Sequence, residues 1–256
     1  MAGVNSNKFF SGTSGLVLPV KNKSLYPPAY QDKSRLNYYG SLFNSIEINS
    51  SFYRLPQATT VKKWADEVPY DFRFTYKLWK QVTHNKSLLF NPDDVNRFVA
   101  AISGAGNKAG SLLIQFPPST TIDCIRQLEA LLIAIQHAGP AQTWSVTVEF
   151  RNKSWYHEDA YALLDTYNAG MVIQDLPASI TPMTEQPTEF VYLRFHGPDG
   201  GYRGTYTDDF LHEYAYYIND WMQDGKTVYA YFNNTMGQAV QNLLTLNGFV
   251  GDLTAP

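Results

Sequence analysis

The sequence predicts an α/β fold, a single irregular TIM (β/α)8-type barrel spanning residues 1–256, and three observations carry that prediction. Short β-type runs alternate with helical patterns from one end of the chain to the other, the arrangement that builds a parallel sheet with helices packed outside it. Eight such runs can be counted, the number a closed barrel needs. A length of 256 residues suits one such barrel and one sizeable core.

The expected strands cover 9–13, 45–49, 72–77, 112–115, 146–151, 171–175, 190–196 and 227–233. Between them, Val95, Phe98, Val99 and Ile102 recur at helical spacing behind Asn91 and Pro92, which read as an N-cap and a first-turn proline. Cys124, Leu128, Leu131, Leu132 and Ile135 repeat the spacing, as do Phe210, Tyr214, Tyr217 and Trp221. These are expected core faces. Three longer loops, at 16–33, 176–188 and 197–206, follow strands, which puts them on one rim of a barrel.

Alternation along the strands locates the candidate site. Side chains on a strand point to opposite faces in turn, so one set enters the lumen and the other meets the helices. Ile46 and Ile48 oppose Glu47 and Asn49; Phe72, Phe74 and Tyr76 oppose Arg73, Thr75 and Lys77. Val146, Val148 and Phe150 oppose Thr147, Glu149 and Arg151, while Val191, Leu193 and Phe195 oppose Tyr192, Arg194 and His196. The apolar set is expected against the helices and the polar set inside. Thr13, Asn49, Lys77, Gln115, Arg151, Asp175, His196 and Asn233 all fall at the C-terminal ends of strands, where barrel enzymes keep their ligand sites.

The inward charges form a balanced inventory of Glu47, Glu149 and Asp175 against Lys77, Arg151 and Arg194. Such a set either neutralises itself as a structural ion-pair network or holds its members for a polar or anionic ligand. The functional reading makes Glu47, Glu149, Lys77 and His196 the catalytic candidates. It assigns ligand binding to Arg151 and Arg194 as anion anchors, to Asn49, Asp175, Gln115 and Asn233, and to Tyr202 and Tyr206 as caps from a mobile loop. Ordinary salt bridging is the expected role of Lys77, ahead of Schiff-base chemistry. Glu47 and Glu149 could also serve as a glycosidase pair.

Other classes find less support. A formal net charge of -3 supplies no overall basic field for nucleic acid, so a nucleic-acid-binding or metal-dependent endonuclease-like barrel is the alternative. No metal site is expected, because three cations share the rim and no HExxH or DxD occurs. No cofactor is expected either, since GxxxxGK and GxGxxG are absent. Neither a signal peptide nor a membrane span is read, and the lone Cys124 favours a cytoplasmic home.

Several segments also carry a resemblance. They are GTSG at Gly12, EINSSFY at Glu47, the run from Phe72 through Lys77 to Thr83 and His84, QFPPS at Gln115, VEFRNKSW around Glu149, the Asp175 and Pro177 segment, YLRFHG at Tyr192, and YFNN at Tyr231. Their order resembles the YecE-like family, domain-of-unknown-function family seventy-two. The resemblance implies an irregular TIM barrel and names no reaction. Where that family commonly has Trp soon after GTSG, this chain has Leu16, Val17 and Leu18, so an aromatic wall of the site is expected to be either missing or supplied elsewhere, for example by Trp79 or Trp155.

Overall fold

The computed structural model describes residues 8–139, 144–185 and 187–254. Eight strands form one parallel sheet: β1 (Phe9–Thr13), β2 (Ser45–Ile48), β3 (Arg73–Lys77), β4 (Ala109–Gln115), β5 (Ser145–Glu149), β6 (Gly170–Gln174), β7 (Phe190–Phe195) and β8 (Thr227–Phe232). The order β1-β8-β7-β6-β5-β4-β3-β2 runs with the sequence and brings the first two strands together at a seam. Helices α1 (Arg35–Leu42), α2 (Ser50–Tyr53), α3 (Ala58–Glu67), α4 (Lys80–Thr83), α5 (Pro92–Ile102), α6 (Ile125–His137), α7 (Glu158–Thr166), α8 (Asp208–Gln223) and α9 (Ala239–Thr254) join the strands, with short 3-10 turns between them. None of these is long and apolar enough to cross a membrane.

Each expected strand is present. Five end one or two residues early, at Ile48, Glu149, Gln174, Phe195 and Phe232, because the residue that follows, polar in each case but Phe150, already belongs to a βα loop. β4 begins three residues before its expected start. Ala109, Gly110 and Ser111 carry little strand propensity, but Gly110 packs so near β3 that an added Cβ would lie 2.9 Å from the Phe74 carbonyl oxygen.

The helical faces follow the spacing, with one rotation. Asn91 accepts the Asp93 amide at 3.0 Å, Pro92 opens the first turn, and Val95, Phe98, Val99 and Ile102 are buried. In α6 the four apolar residues Leu128, Leu131, Leu132 and Ile135 are buried, while Cys124 precedes the helix at the edge of the core. In α8 the buried stripe is Leu211, Ala215 and Ile218. Phe210, Tyr214 and Trp221 flank that stripe and Tyr217 hydrogen-bonds Glu213, so the aromatic face expected at the centre lies along its edge.

The seam explains two motifs. β1 and β2 share one bridge, Ser14 with Glu47, in place of a ladder. Side chains satisfy the remaining edge groups. Asn44 accepts from the Ser11 amide at 2.9 Å and donates to the Phe9 carbonyl at 2.8 Å, and Tyr39 Oη accepts from the Thr13 amide and donates to the Ser45 carbonyl. Gly12 is obligatory there, since a Cβ would lie 2.0 Å from the Ser45 carbonyl oxygen. Thr13 pairs with Tyr39 of the helix layer, so its side chain belongs outside the lumen and not with the inward polar set.

Strand parity holds on β2, β3, β5 and β7, where Ile46, Ile48, Phe74, Tyr76, Val148, Val191, Leu193 and Phe195 join the outer core. The lumen is less polar than expected. Phe10, Leu113, Val172, Phe190, Tyr192, Tyr229 and Tyr231 pack together as a separate apolar cluster, so the lower barrel is plugged by rings. Tyr231 ties that plug to the wall through the hydroxyls of Ser45 at 2.5 Å and Thr75 at 2.8 Å. Arg73, at the start of β3, lies over the Phe10 ring of the plug, and the buried carboxylates with their cations lie in the upper lumen.

Candidate functional site at the barrel mouth

Arg194, on β7 above the aromatic plug, is the centre of the site. Its Nε donates to Glu47 Oε2 at 2.9 Å and its Nη2 to Glu47 Oε1 at 2.6 Å, the parallel fork that guanidinium and carboxylate favour. Nη1 donates to Glu149 Oε2 at 2.5 Å, and Tyr192 adds its hydroxyl to Glu47 Oε2 at 2.7 Å. Glu47 comes from β2, Glu149 from β5 and Arg194 from β7, so one cation clamps three parts of the barrel. All three side chains are essentially inaccessible to solvent.

Electrostatics follow from this geometry. Burial opposes ionisation of Glu47, but Arg194 and its hydrogen bonds outweigh it and hold the carboxyl below its ordinary range. Burial likewise opposes charge on Glu149, and Arg151 with Arg194 holds that carboxyl well below. Burial disfavours the charged guanidinium of Arg194, yet Glu149 and Glu47 together shift it upward. Both carboxylates are therefore fixed anions.

A second shell of contacts reaches the rim. Arg151 pairs through Nε with Glu149 Oε1, and its Nη2 lies 2.9 Å from His196 Nε2. Arg194 Nη1 lies 3.2 Å from the same nitrogen. A guanidinium only donates, so His196 Nε2 is the acceptor, and its Nδ1 proton faces Asp175 Oδ1 at 3.4 Å. Asp175 also accepts the His196 amide at 2.7 Å and the Tyr206 hydroxyl.

Lys77, on β3, departs from its expected role. It has no ion-pair partner among the described residues. Its Nζ donates to Gln115 Oε1 at 2.8 Å and lies 4.3 Å from the centre of the Phe52 ring. Burial and the neighbouring Arg194 lower its pKa to about 8, against the opposing pull of Glu149 and Glu47. Beside it, His84 is lowered to about 4 by burial, Lys77 and Lys80.

The remaining candidates divide. Asn49 follows β2 with its side-chain carbonyl buried and without a partner among the described residues, and Trp79 Nε1 after β3 is in the same state. Asn233, half-buried at the end of β8, is set by its amide bonding to the Phe195 carbonyl at 2.7 Å. Tyr202 stands at the rim with its ring 5.8 Å from that of His196. Its loop is pinned, with the Tyr202 amide on the His196 carbonyl and the Met236 amide on the Tyr202 carbonyl. Tyr206 turns inward among Phe195, Phe210 and Phe232; it buttresses Asp175 and does not face the mouth. Trp155 is fully buried, stacked on Phe150, with its Nε1 on the Thr120 carbonyl, so it forms no wall of the site.

Three participants were missed by the sequence reading. Phe52 lies on the short helix α2, where no periodicity marks it. Tyr192 was visible as an inward residue of β7 by parity. Gln174 shapes the following loop through the Leu176 amide and Ser179. Among the described residues no group of three or more His, Cys, Asp or Glu is arranged to hold a metal ion; the carboxylates here point at guanidinium groups.

Eight parallel strands in a nearly closed ring, wrapped by helices and charged at the C-terminal mouth, define a TIM-like α/β barrel. Within that class, the chain belongs to the family described as Protein of unknown function DUF72, whose model matches residues 10–255. It is 27% identical over 246 residues to UPF0759 protein YunF of Bacillus subtilis (strain 168), covering 84% of this chain and 85% of that protein. It is 30% identical over 82 residues to UPF0759 protein YecE of Escherichia coli (strain K12), covering 32% and 30%. The fold is similar to that of a DUF72 family protein from Enterococcus faecalis, with a TM-score of 0.77 at 18% identity over 97% of each chain. A DUF72 family protein from Thermotoga maritima gives 0.73 at 24% identity over 97% of this chain and 100% of that one.

Proposed function

We propose that the C-terminal mouth binds a small polar molecule, and that the Glu47–Arg194–Glu149 clamp is the rigid floor on which it rests. The observation that carries this reading is the separation between a closed floor and an open rim. On the floor, Arg194 is engaged by Glu47 and Glu149, and Arg151 by Glu149 and His196. Above it, Lys77, Asn49, Asn233 and Tyr202 carry an amine, amides and a phenol that the network does not consume, and Gln115 holds Lys77 from the Phe116 carbonyl.

A buried charge triad is weak evidence of stability, since apolar replacements of equal volume often stabilise. Its use here is preorganisation: positioned dipoles and charges in a water-poor site act strongly on a bound polar group. Glu47 and Glu149 act by orienting Arg194 and setting the field. Lys77 is the group with unspent chemistry and carries any proton transfer, while His196, engaged by both guanidinium groups, holds them in place. The ligand is uncharged or weakly anionic, because Glu47, Glu149 and Asp175 already balance Arg194, Arg151 and charged Lys77. No added cofactor is required for binding of this kind, and the chain works in the cytoplasm.

A thermal-shift screen of small sugars, hydroxy acids, keto acids and amides tests this. Compounds that raise the melting temperature of the wild-type chain should lose that effect in Asn49→Leu and Tyr202→Ala. Hits that survive both substitutions place binding elsewhere and refute the reading. Affinity for an oligonucleotide that falls steeply with salt would replace it with a nucleic-acid-binding role.

A further inference from the structure

We propose that Lys77 is a covalent-catalysis amine, its Nζ attacking the carbonyl carbon of a small polar aldehyde or ketone held at the mouth to form a Schiff base. This rests on the reading of the mouth as a ligand site and names the class of ligand it takes.

The contrast with Lys108 shows why Lys77 is not simply a structural lysine. Lys108 is also buried, and its ammonium is held by two backbone carbonyls, Ala65 at 2.5 Å and Val68 at 2.6 Å. Those contacts fix a charge and leave the nitrogen enclosed. Among the described residues Lys77 has one hydrogen bond, to an amide oxygen, and an aromatic face beneath it. The ammonium form donates three hydrogen bonds, and among the described residues it meets one acceptor. Burial and the guanidinium of Arg194 disfavour that form further, while Glu149 and Glu47 oppose them and Arg151 assists. The neutral amine is the nucleophile that carbonyl chemistry needs. Lys77 remains partly exposed, so the nitrogen is not sealed off.

The surroundings suit a carbonyl compound bearing hydroxyl groups. Asn49 follows Ile48, the partner of Tyr76 in the β2–β3 ladder, so it neighbours Lys77, and its side-chain carbonyl, unpartnered among the described residues, suits a ligand hydroxyl.

The step balances without another reactant. The Nζ lone pair forms the C–N bond as the C=O π bond opens to a carbinolamine. The carbinolamine oxygen then leaves as water, taking both amine protons, and the C=N bond closes. Hydrolysis reverses the sequence.

Glycolaldehyde with sodium cyanoborohydride is the test, because the hydride reduces an imine to a stable secondary amine. The full chain is treated at pH 7 with substoichiometric glycolaldehyde, and each lysine peptide is quantified by mass spectrometry. Lys77 is expected to gain the reduced adduct at least about tenfold faster than the surface lysines, as a lowered amine pKa dictates. Modification spread over surface lysines with Lys77 unmodified would overturn the proposal. The map is read on the wild-type chain, so it does not depend on a variant folding. Lys77→Met should lose the fast adduct while circular dichroism stays unchanged. If Lys77 is not trapped but screen hits still depend on Asn49 and Tyr202, the covalent step falls and the binding site stands; if neither holds, both fall.

Discussion

Replacing Lys77 by methionine should stabilise the protein at pH 7, and the magnitude can be worked from its surroundings. The amine falls from its ordinary 10.5 to about 8. At 1.36 kcal/mol per tenfold change, this costs the folded state about 3 kcal/mol while the group is charged in both states. Methionine removes that penalty. It also forfeits the Gln115 hydrogen bond, worth about 1 kcal/mol, and the contact with Phe52, worth up to about 1 kcal/mol. The net gain at pH 7 is about 1 kcal/mol. The sign with pH is fixed: the folded state binds fewer protons than the unfolded chain between about 8 and 10.5, so wild-type stability recovers as pH rises through that window. The gain from Lys77→Met should therefore fall by about 2 kcal/mol between pH 7 and pH 10, turning into a loss of about 1 kcal/mol. Urea unfolding of both proteins at the two pH values measures this directly. A variant that is destabilised at pH 7, with a difference that does not change at pH 10, would show that Lys77 is an ordinary stabilising cation and refute the reasoning.

Arg194→Met should cost about 3–5 kcal/mol in urea unfolding, because it strands the Glu47 carboxylate, which has no other ion-pair partner among the described residues. Glu149→Gln keeps an acceptor for Arg194 and should flatten acid unfolding: the stabilisation supplied by the lowered Glu149 carboxyl is present above its ordinary 4.5 and is lost as pH falls through the folded value, so wild type should lose stability faster than the variant in that range. Asn44→Ala removes two seam hydrogen bonds and should cost about 2–3 kcal/mol, read as a lowered urea midpoint. Gly12→Ala should cost more than about 4 kcal/mol or prevent folding, since the new methyl meets the Ser45 carbonyl; a folded variant with wild-type melting would mean that the seam is looser than described.

Strand order and the location of the site were legible because they rest on a period of two. Glu47, Glu149 and Arg194 alternate with Ile48, Val148 and Leu193, and the pleat alone sends them inward. Which partner each would choose was not legible. That depends on register across strands distant in sequence, so Lys77 could be expected in a salt bridge although Arg194 takes both carboxylates. The aromatic plug escaped notice for a related reason. Phe10, Phe190 and Tyr229 sit at strand starts, and an apolar residue there looks the same whether it faces helices or lumen. The seam was unreadable in another way, since Asn44 and Tyr39 act through side-chain bonds to backbone and leave no periodic trace. Tyr206 shows the limit for loops: its position beside the rim was evident, but its direction was set by the Phe195, Phe210 and Phe232 cluster.

A cleft of about 1120 Å³ at the opposite end of the barrel, lined by residues that include Lys8, Asn44, Asp71 and Asn247, offers the direct rival for any small molecule. Crystals soaked with the strongest compound from the thermal-shift screen decide between the two ends. Density above Arg194, within bonding distance of Lys77 and Asn49, is the result predicted here. Density confined to the cleft between α1 and α9, with an empty mouth, would contradict it.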